Sequence, residues 1–160
     1  MLPIEVKQAL LPVPSGKTLI ITVGNDLRRD DGAGSFISSR LKEIPEGYVL
    51  LDVGSRPENS VDEAVDLNPA KTVIIDAADF GGEPGEIRII PPELIPQTTL
   101  STHTFPLPVI AKMLEEETGS AVYFLGIQPV SVELGEGLSP EVEKSAGDII
   151  RFIKEGESHA

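Results

Sequence analysis

Cysteine is absent from this chain of 160 residues. Its absence excludes disulfides, zinc–thiolate sites, cysteine nucleophiles and iron–sulfur ligation. Histidine is scarce as well: only His103 and His159 occur, and His159 is the penultimate residue of a polar tail. Any metal chemistry must therefore rest on carboxylates and imidazole. Positive charge is in short supply, with 13 Lys and Arg against 26 Asp and Glu and a net charge of -13. That balance argues against nucleic acid, whose phosphates require a basic face, and favours solubility and a basic partner surface. Long hydrophobic runs are missing too. Stretches such as Thr18–Val23 and Thr72–Ile75 are strand-sized, far short of the ~18 residues of a membrane helix. The opening MLPIEVKQALLPVPSG lacks a basic n-region and a proper apolar h-region, so no signal peptide, no membrane insertion and a cytoplasmic location are expected.

What is present is an ordinary globular composition, 40% hydrophobic, in a length that suits one domain. Strand and helix signals alternate. Apolar β-rich runs fall at 17–24, 48–54, 71–76, 86–90 and 121–126, and helix signals at 31–44, from about 56 to 68, 106–116 and 139–154. Ser139-Pro140-Glu141 reads as a helix start with a serine cap, and Val142, Ala146, Ile149, Ile150 and Ile153 recur on one helical face. The fold class predicted is α/β, a single-domain three-layer sandwich. Its five-stranded, mostly parallel twisted sheet carries helices on both faces. The expected organisation is an N-terminal extension over 1–16, one domain over 17–155 and a polar tail over 156–160. Ligands in such folds bind outside the carboxyl ends of the strands, where the winding reverses. The residues to watch are accordingly those just after strands: 25–31, 52–55, 76–79 and 126–128.

Three chemistries fail at the level of motif. The loop after the first strand, G-N-D-L-R-R-D-D-G-A-G, is not a dinucleotide fingerprint, and it carries carboxylates where a pyrophosphate would sit. No nucleophile elbow G-x-S-x-G accompanies the single internal histidine. Asp52-Val53-Gly54-Ser55 faintly resembles the turn of an aspartic protease but stands alone. A metal reading remains. Asp31 at a helix start, Asp76 at the end of the third strand and His103 ahead of a helix all belong to loops that the fold can bring to one rim. Two carboxylates and an imidazole would form an open site suited to nickel, iron, manganese or zinc. Taken singly, each has a plainer explanation as a helix cap, a turn former or a surface histidine.

Five stretches, taken together, carry a family likeness. They are G-N-x-x-x-x-D-D-G-A-G, D-V-G-S-R-P-E-N, V-I-I-D-A-A-D-F-G-G-E-P-G-E-I-R-I-I, S-T-H-T-F-P-L and F-L-G-I-Q-P, in order between about Leu19 and Ile153. They resemble the nickel–iron hydrogenase maturation endopeptidases, of the type that processes the large subunit of hydrogenase 3 (formate hydrogenlyase). The resemblance implies a protease that removes a short C-terminal peptide from the large-subunit precursor once nickel has been inserted. Asp31, Asp76 and His103 fall on that family's metal-binding and catalytic positions. The nickel is expected to arrive with the precursor and to serve as a recognition element held from both sides. Asp30 is expected to hold the turn, and Asp79 to stand behind the metal ligands. Asp79, Gly81, Gly82 and Gln128 are expected at the substrate, with Gln128 contacting its backbone and Gly81, Gly82 and Gly85 in a mobile loop. Two other readings use the same residues: a metallochaperone-like module that docks without cutting, and a metal-dependent hydrolase of small substrates.

Overall fold

Six consecutive buried residues, Thr18–Val23, form β1, and such an unbroken, mostly apolar buried run is what a strand covered on both faces requires. The computed structural model describes residues 2–98 and 106–156. His103 and His159 lie outside them. Around β1 are β2 (Tyr48–Gly54), β3 (Lys71–Ala77), β4 (Ile87–Ile90) and β5 (Ala121–Ile127), in the order β2-β1-β3-β5-β4. The β1–β2, β1–β3 and β3–β5 pairs are parallel, while β4 runs antiparallel to β5 at the edge. Among the described strands only β4 departs from parallel, because the short 78–86 connection turns the chain back without a crossover helix.

Alternate residues along the strands feed two separate cores. Ile20, Val73, Ile75, Leu125 and Ile127 face α1 (Ile4–Leu10), α2 (Ala33–Arg40) and α6 (Pro140–Glu155). Leu19, Ile21, Ile74 and Phe124 face α3 (Ser60–Leu67), the single turn α4 (Ile95–Thr98) and α5 (Leu107–Thr118). The helix ends follow from local chemistry. Pro106 precedes α5, and Gly119 closes it at φ 72, a left-handed cap that glycine adopts without steric cost. Asn68 ends α3 in the same region at φ 49. Short 3-10 turns at Arg29–Gly32 and Pro92–Leu94, and α4 itself, carry no periodic signal in the sequence.

The first sixteen residues add a helix to the first core. Leu2, Val6 and Leu10 are buried in the same cluster as α2 and α6. The end of α1 is tied down from the strand starts: the Tyr48 hydroxyl donates to the Leu10 carbonyl at 2.6 Å, and Lys71 Nζ donates to Leu11 O at 2.6 Å and Gln8 O at 3.2 Å. A cation on the last carbonyls of a helix is favourable both as a hydrogen-bond donor and against the helix dipole.

Candidate active site

β1 lies between β2 and β3, so the winding reverses between β1 and β3. The loop that leaves β1 at that point folds back on itself. Asn25 N donates to the Asp31 carbonyl at 3.0 Å and to Asp31 Oδ2 at 3.1 Å, and Asn25 Oδ1 accepts from Leu27 N at 3.0 Å. Gly24 makes the reversal at φ 145, where a side chain is strained. A Cβ at Gly24 would lie 2.0 Å from the Asp31 carbonyl oxygen and 3.7 Å from Asp76 Oδ1. The backbone of Asp31 and the carboxylate of Asp76 thus close on the same glycine. Both side chains are buried, Asp31 at 4% exposure and Asp76 at 0%.

Neither member of the Asp30–Asp31 doublet caps the following helix. Gly32 holds the N-cap position of α2 and offers no side-chain bond. Asp30, fully buried, accepts Val130 N at 2.8 Å, Ser131 N at 3.2 Å and Ser139 N at 2.7 Å, together with the Ser139 hydroxyl. Asp30 therefore fastens the β1 loop to the 129–139 loop as well as holding its own turn. Further bonds join the same two loops: Arg29 N to Gly135 O at 2.9 Å, Gly135 N to Leu27 O at 2.9 Å and Arg28 Nε to Val132 O at 3.1 Å. They hold Arg29 at φ 46, a left-handed conformation that costs a non-glycine residue about 1 kcal/mol or more. Asp52 also serves local structure, accepting from Thr22 Oγ1 at 3.0 Å and Gly54 N at 3.3 Å.

Three residues beyond Asp76, Asp79 begins the loop that leads to β4. Gln128, at the end of β5 and 7% exposed, reaches across to it. Gln128 Oε1 accepts Phe80 N at 2.9 Å and Gly82 N at 3.1 Å, and its Nε2 donates to Asp79 Oδ1 at 3.0 Å. Asp79 Oδ1 also accepts Gly81 N at 3.1 Å. The Gln128 amide and the Gly81 N–H hold the Asp79 carboxyl below the ordinary carboxylate range. Gly81 stands at φ 75, and a Cβ at Gly82 would lie 2.5 Å from the Phe80 ring and 2.6 Å from Glu86 Oε1. Gly81 therefore needs glycine for its backbone angle, whereas a side chain at Gly82 would have to displace the ends of Phe80 and Glu86. Asp79 N donates to the Thr98 carbonyl at 2.8 Å, which fixes the loop to the end of α4. Beside the loop, Asp79 and Phe80 form one wall of a cleft of about 300 Å³ that Arg88, Pro91, Leu94 and Thr98 complete. The Arg88 guanidinium lies 4.5 Å from the Phe80 ring centroid.

The structure thus brings Asp31 and Asp76 together, and places Asp79, Gly81, Gly82 and Gln128 in one loop assembly close by. The side-chain amide of Gln128, expected at the substrate backbone, is engaged by that loop. His103 falls outside the described residues, and among the described residues no group of three or more His, Cys, Asp or Glu could hold a metal ion. Two buried oxygen donors on one rim suit a hard or borderline divalent metal that brings its remaining ligands with it. The links from Asp30 to Ser139 and from Asp79 to Thr98 escape sequence reasoning, because the partners are distant and carry no shared motif. Asn25 falls in the 25–31 stretch marked by its place after the first strand, but its bonds to Asp31 do not show in the sequence.

Residues 37–155 match the family model described as HycI, hydrogenase maturation protease. The chain belongs to the hydrogenase maturation protease family. It is 41% identical over 113 residues to the hydrogenase 3 maturation protease of Escherichia coli K12, a match covering 69% of this chain and 72% of that one. Its fold superimposes on the crystal structure of the nickel–iron hydrogenase maturation protease HycI from Thermococcus kodakarensis KOD1. That match has a TM-score of 0.80 at 32% identity and covers 94% of this chain and 97% of the other. The solution structure of the endopeptidase HycI from Escherichia coli gives 0.78 at 34% identity over 86% and 89%. The protein is accordingly a hydrogenase maturation endopeptidase with the α/β sheet of these relatives. Among the described residues no helix is long and apolar enough to cross a membrane.

Proposed function

We propose that this endopeptidase removes the C-terminal peptide from a nickel-loaded hydrogenase large-subunit precursor in the cytoplasm, and that the precursor's nickel is what it recognises. The observation that carries this reading is the buried pair Asp31 and Asp76, one on the turn after β1 and the other at the end of β3, beside the point where the sheet winding reverses. Their oxygens bind the outward side of a nickel ion already held by the substrate, and His103 supplies a third ligand. A chain without cysteine has no thiolates with which to strip nickel from a thiolate site, so the metal stays with the precursor and acts as a tether. Tethering places the scissile bond beside the rim and converts an encounter between two proteins into an intramolecular step. Hydrolysis then adds water across the peptide bond, with the hydroxyl going to the acyl carbon and the proton to the departing amine. The 79–85 loop flanks the substrate chain.

The test is cleavage of purified precursor, with and without nickel, followed by its change in size. Nickel-loaded precursor is expected to shorten and nickel-free precursor to stay intact. Asp31→Asn, Asp76→Asn and His103→Ala should each slow cleavage by at least about 10–100-fold, the usual effect of disturbing a metal site. Equal cleavage of both precursor forms would remove the metal from recognition. Docking without cutting would indicate a metallochaperone-like module.

A further inference from the structure

Gln128 uses both ends of its side-chain amide on a loop that is not its own. Its oxygen takes two backbone N–H groups, Phe80 at 2.9 Å and Gly82 at 3.1 Å, and its nitrogen holds Asp79 Oδ1 at 3.0 Å. The main chain of Gln128 joins in: its N–H donates to Glu86 O at 2.8 Å, and its carbonyl accepts Gly85 N at 2.8 Å. Asp79 completes the set by accepting Gly81 N at 3.1 Å. Three successive N–H groups, Phe80, Gly81 and Gly82, are thereby directed inward to two side chains. An exposed loop containing Gly81, Gly82 and Gly85 would otherwise sample many conformations. This loop begins three residues after Asp76 and supplies one wall, Asp79 and Phe80, of the cleft of about 300 Å³.

We infer that Gln128 is a positioning residue. It holds the loop that follows Asp76 in one conformation, so that the cleft wall formed by Asp79 and Phe80 is set before the precursor's peptide arrives. This rests on the proposed peptide cleavage and deepens it: Gln128 acts on the substrate through the loop, without touching the peptide itself. Preorganisation of this kind lowers the ordering cost of binding, so its loss should appear mainly in KM.

The experiment exploits the polarity of the Gln128–Asp79 bond. Gln128→Glu keeps the shape and the acceptor for Phe80 and Gly82 but replaces the donor to Asp79 with a second carboxylate oxygen. Adding Asp79→Asn lets Nδ2 donate to the new carboxylate while Oδ1 turns to keep Gly81 N, and so restores the pair in reverse. Two readouts are taken on purified full-length protein: amide hydrogen exchange over residues 79–85, and KM and kcat for cleavage of nickel-loaded precursor. Gln128→Glu alone is expected to speed exchange in the loop by about tenfold or more. It should also raise KM by about tenfold or more with kcat changed less, and its melting temperature should stay close to that of the unaltered protein. The double variant should recover loop protection and KM to within about threefold of the unaltered protein. Unchanged exchange or unchanged KM in Gln128→Glu would overturn the inference, as would a double variant no better than the single one. Hydrogen exchange needs no substrate. If the unaltered protein does not cut the precursor, the proposed function fails, while the loop readout still decides the clamp.

Discussion

The carboxylate of Asp30 accepts both the backbone N–H of Ser139, at 2.7 Å, and the Ser139 hydroxyl, at 2.9 Å, across 109 residues of sequence. Ser139 stands at the N-cap of α6, yet its hydroxyl serves Asp30 and makes no cap bond to its own helix. Asp30→Ala would take the acceptor from the N–H groups of Val130, Ser131 and Ser139 in these part-buried bonds. Water can replace part of what is lost, so the substitution should destabilise by about 1–3 kcal/mol. Asp30→Asn, which keeps one oxygen, should lose less. Thermal or urea unfolding of both variants measures the difference.

Gly24 is the tightest point of the rim. Gly24→Ala drives a methyl to 2.0 Å from the Asp31 carbonyl oxygen at a backbone angle that side chains avoid. The expected cost is about 4 kcal/mol or more, with precursor cleavage lost even where the variant still folds. A melting curve paired with a cleavage assay checks both halves. Wild-type stability in this variant would mean that the loop is looser than its hydrogen bonds indicate.

Tyr48 gives the fold an alkaline limit. Burial pushes its hydroxyl from the ordinary 10.0 up to about 12, and the same hydroxyl donates to Leu10 O at 2.6 Å. The unfolded chain gives up this proton first. The stabilisation is therefore complete below pH 10 and is lost as the pH rises towards about 12. Tyr48→Phe should cost about 1 kcal/mol at neutral pH and flatten this alkaline decline. Unfolding by denaturant between pH 8 and 12 reads both effects.

Asp79 should report the same kind of linkage at the acid end. Its carboxyl lies below the ordinary 3.8, first because of the Gln128 amide and then because of the Gly81 N–H. Whatever stabilisation it contributes is present above the ordinary value and disappears as the pH falls through the lowered one. Gln128→Leu removes the larger influence, so the Asp79 titration should move up. A carboxyl-resolved NMR titration detects the shift directly.

Nickel that travels with the substrate makes a separate prediction for the free enzyme. A chelator added to the isolated protein should leave its melting temperature unchanged, whereas the same chelator applied to the precursor before mixing should abolish cleavage. A lowered melting temperature on chelation would indicate a resident metal.

The sheet was legible in the sequence because each strand shows its burial in its own composition. Tyr48–Gly54 matches its expected limits, and the other four strands fall within one residue of theirs. The positions of Asp31 and Asp76 were legible too, since a parallel sheet sends its loops to the carboxyl rim. What did not show was anything set by distant contact. No period in the sequence marks the 3-10 turn that carries Asp30 and Asp31, or the bond from Asp30 to Ser139. A glutamine after a strand reads equally well as a substrate contact or a loop residue, and only the positions of Phe80 and Gly82 decide where its amide goes. Likewise the proline-flanked start of the chain conceals that Val6 and Leu10 reach the core, because α1 is too short to display a clear apolar stripe.

The sheet order also governs when the molecule can come into being. The last strand in the chain, β5, is an internal one, inserted between β3 and β4. As a chain emerges during synthesis, β4 is made before β5, the strand it pairs with among the described residues. The donors that satisfy Asp30 come later still, from residues 130–139. A nascent chain that stops short of β5 has every residue of the Asp31–Asp76 rim but neither the strand that supports it nor the loop that fastens it. The completed rim is therefore a late event of folding, and a truncated protease should be unable to assemble its site.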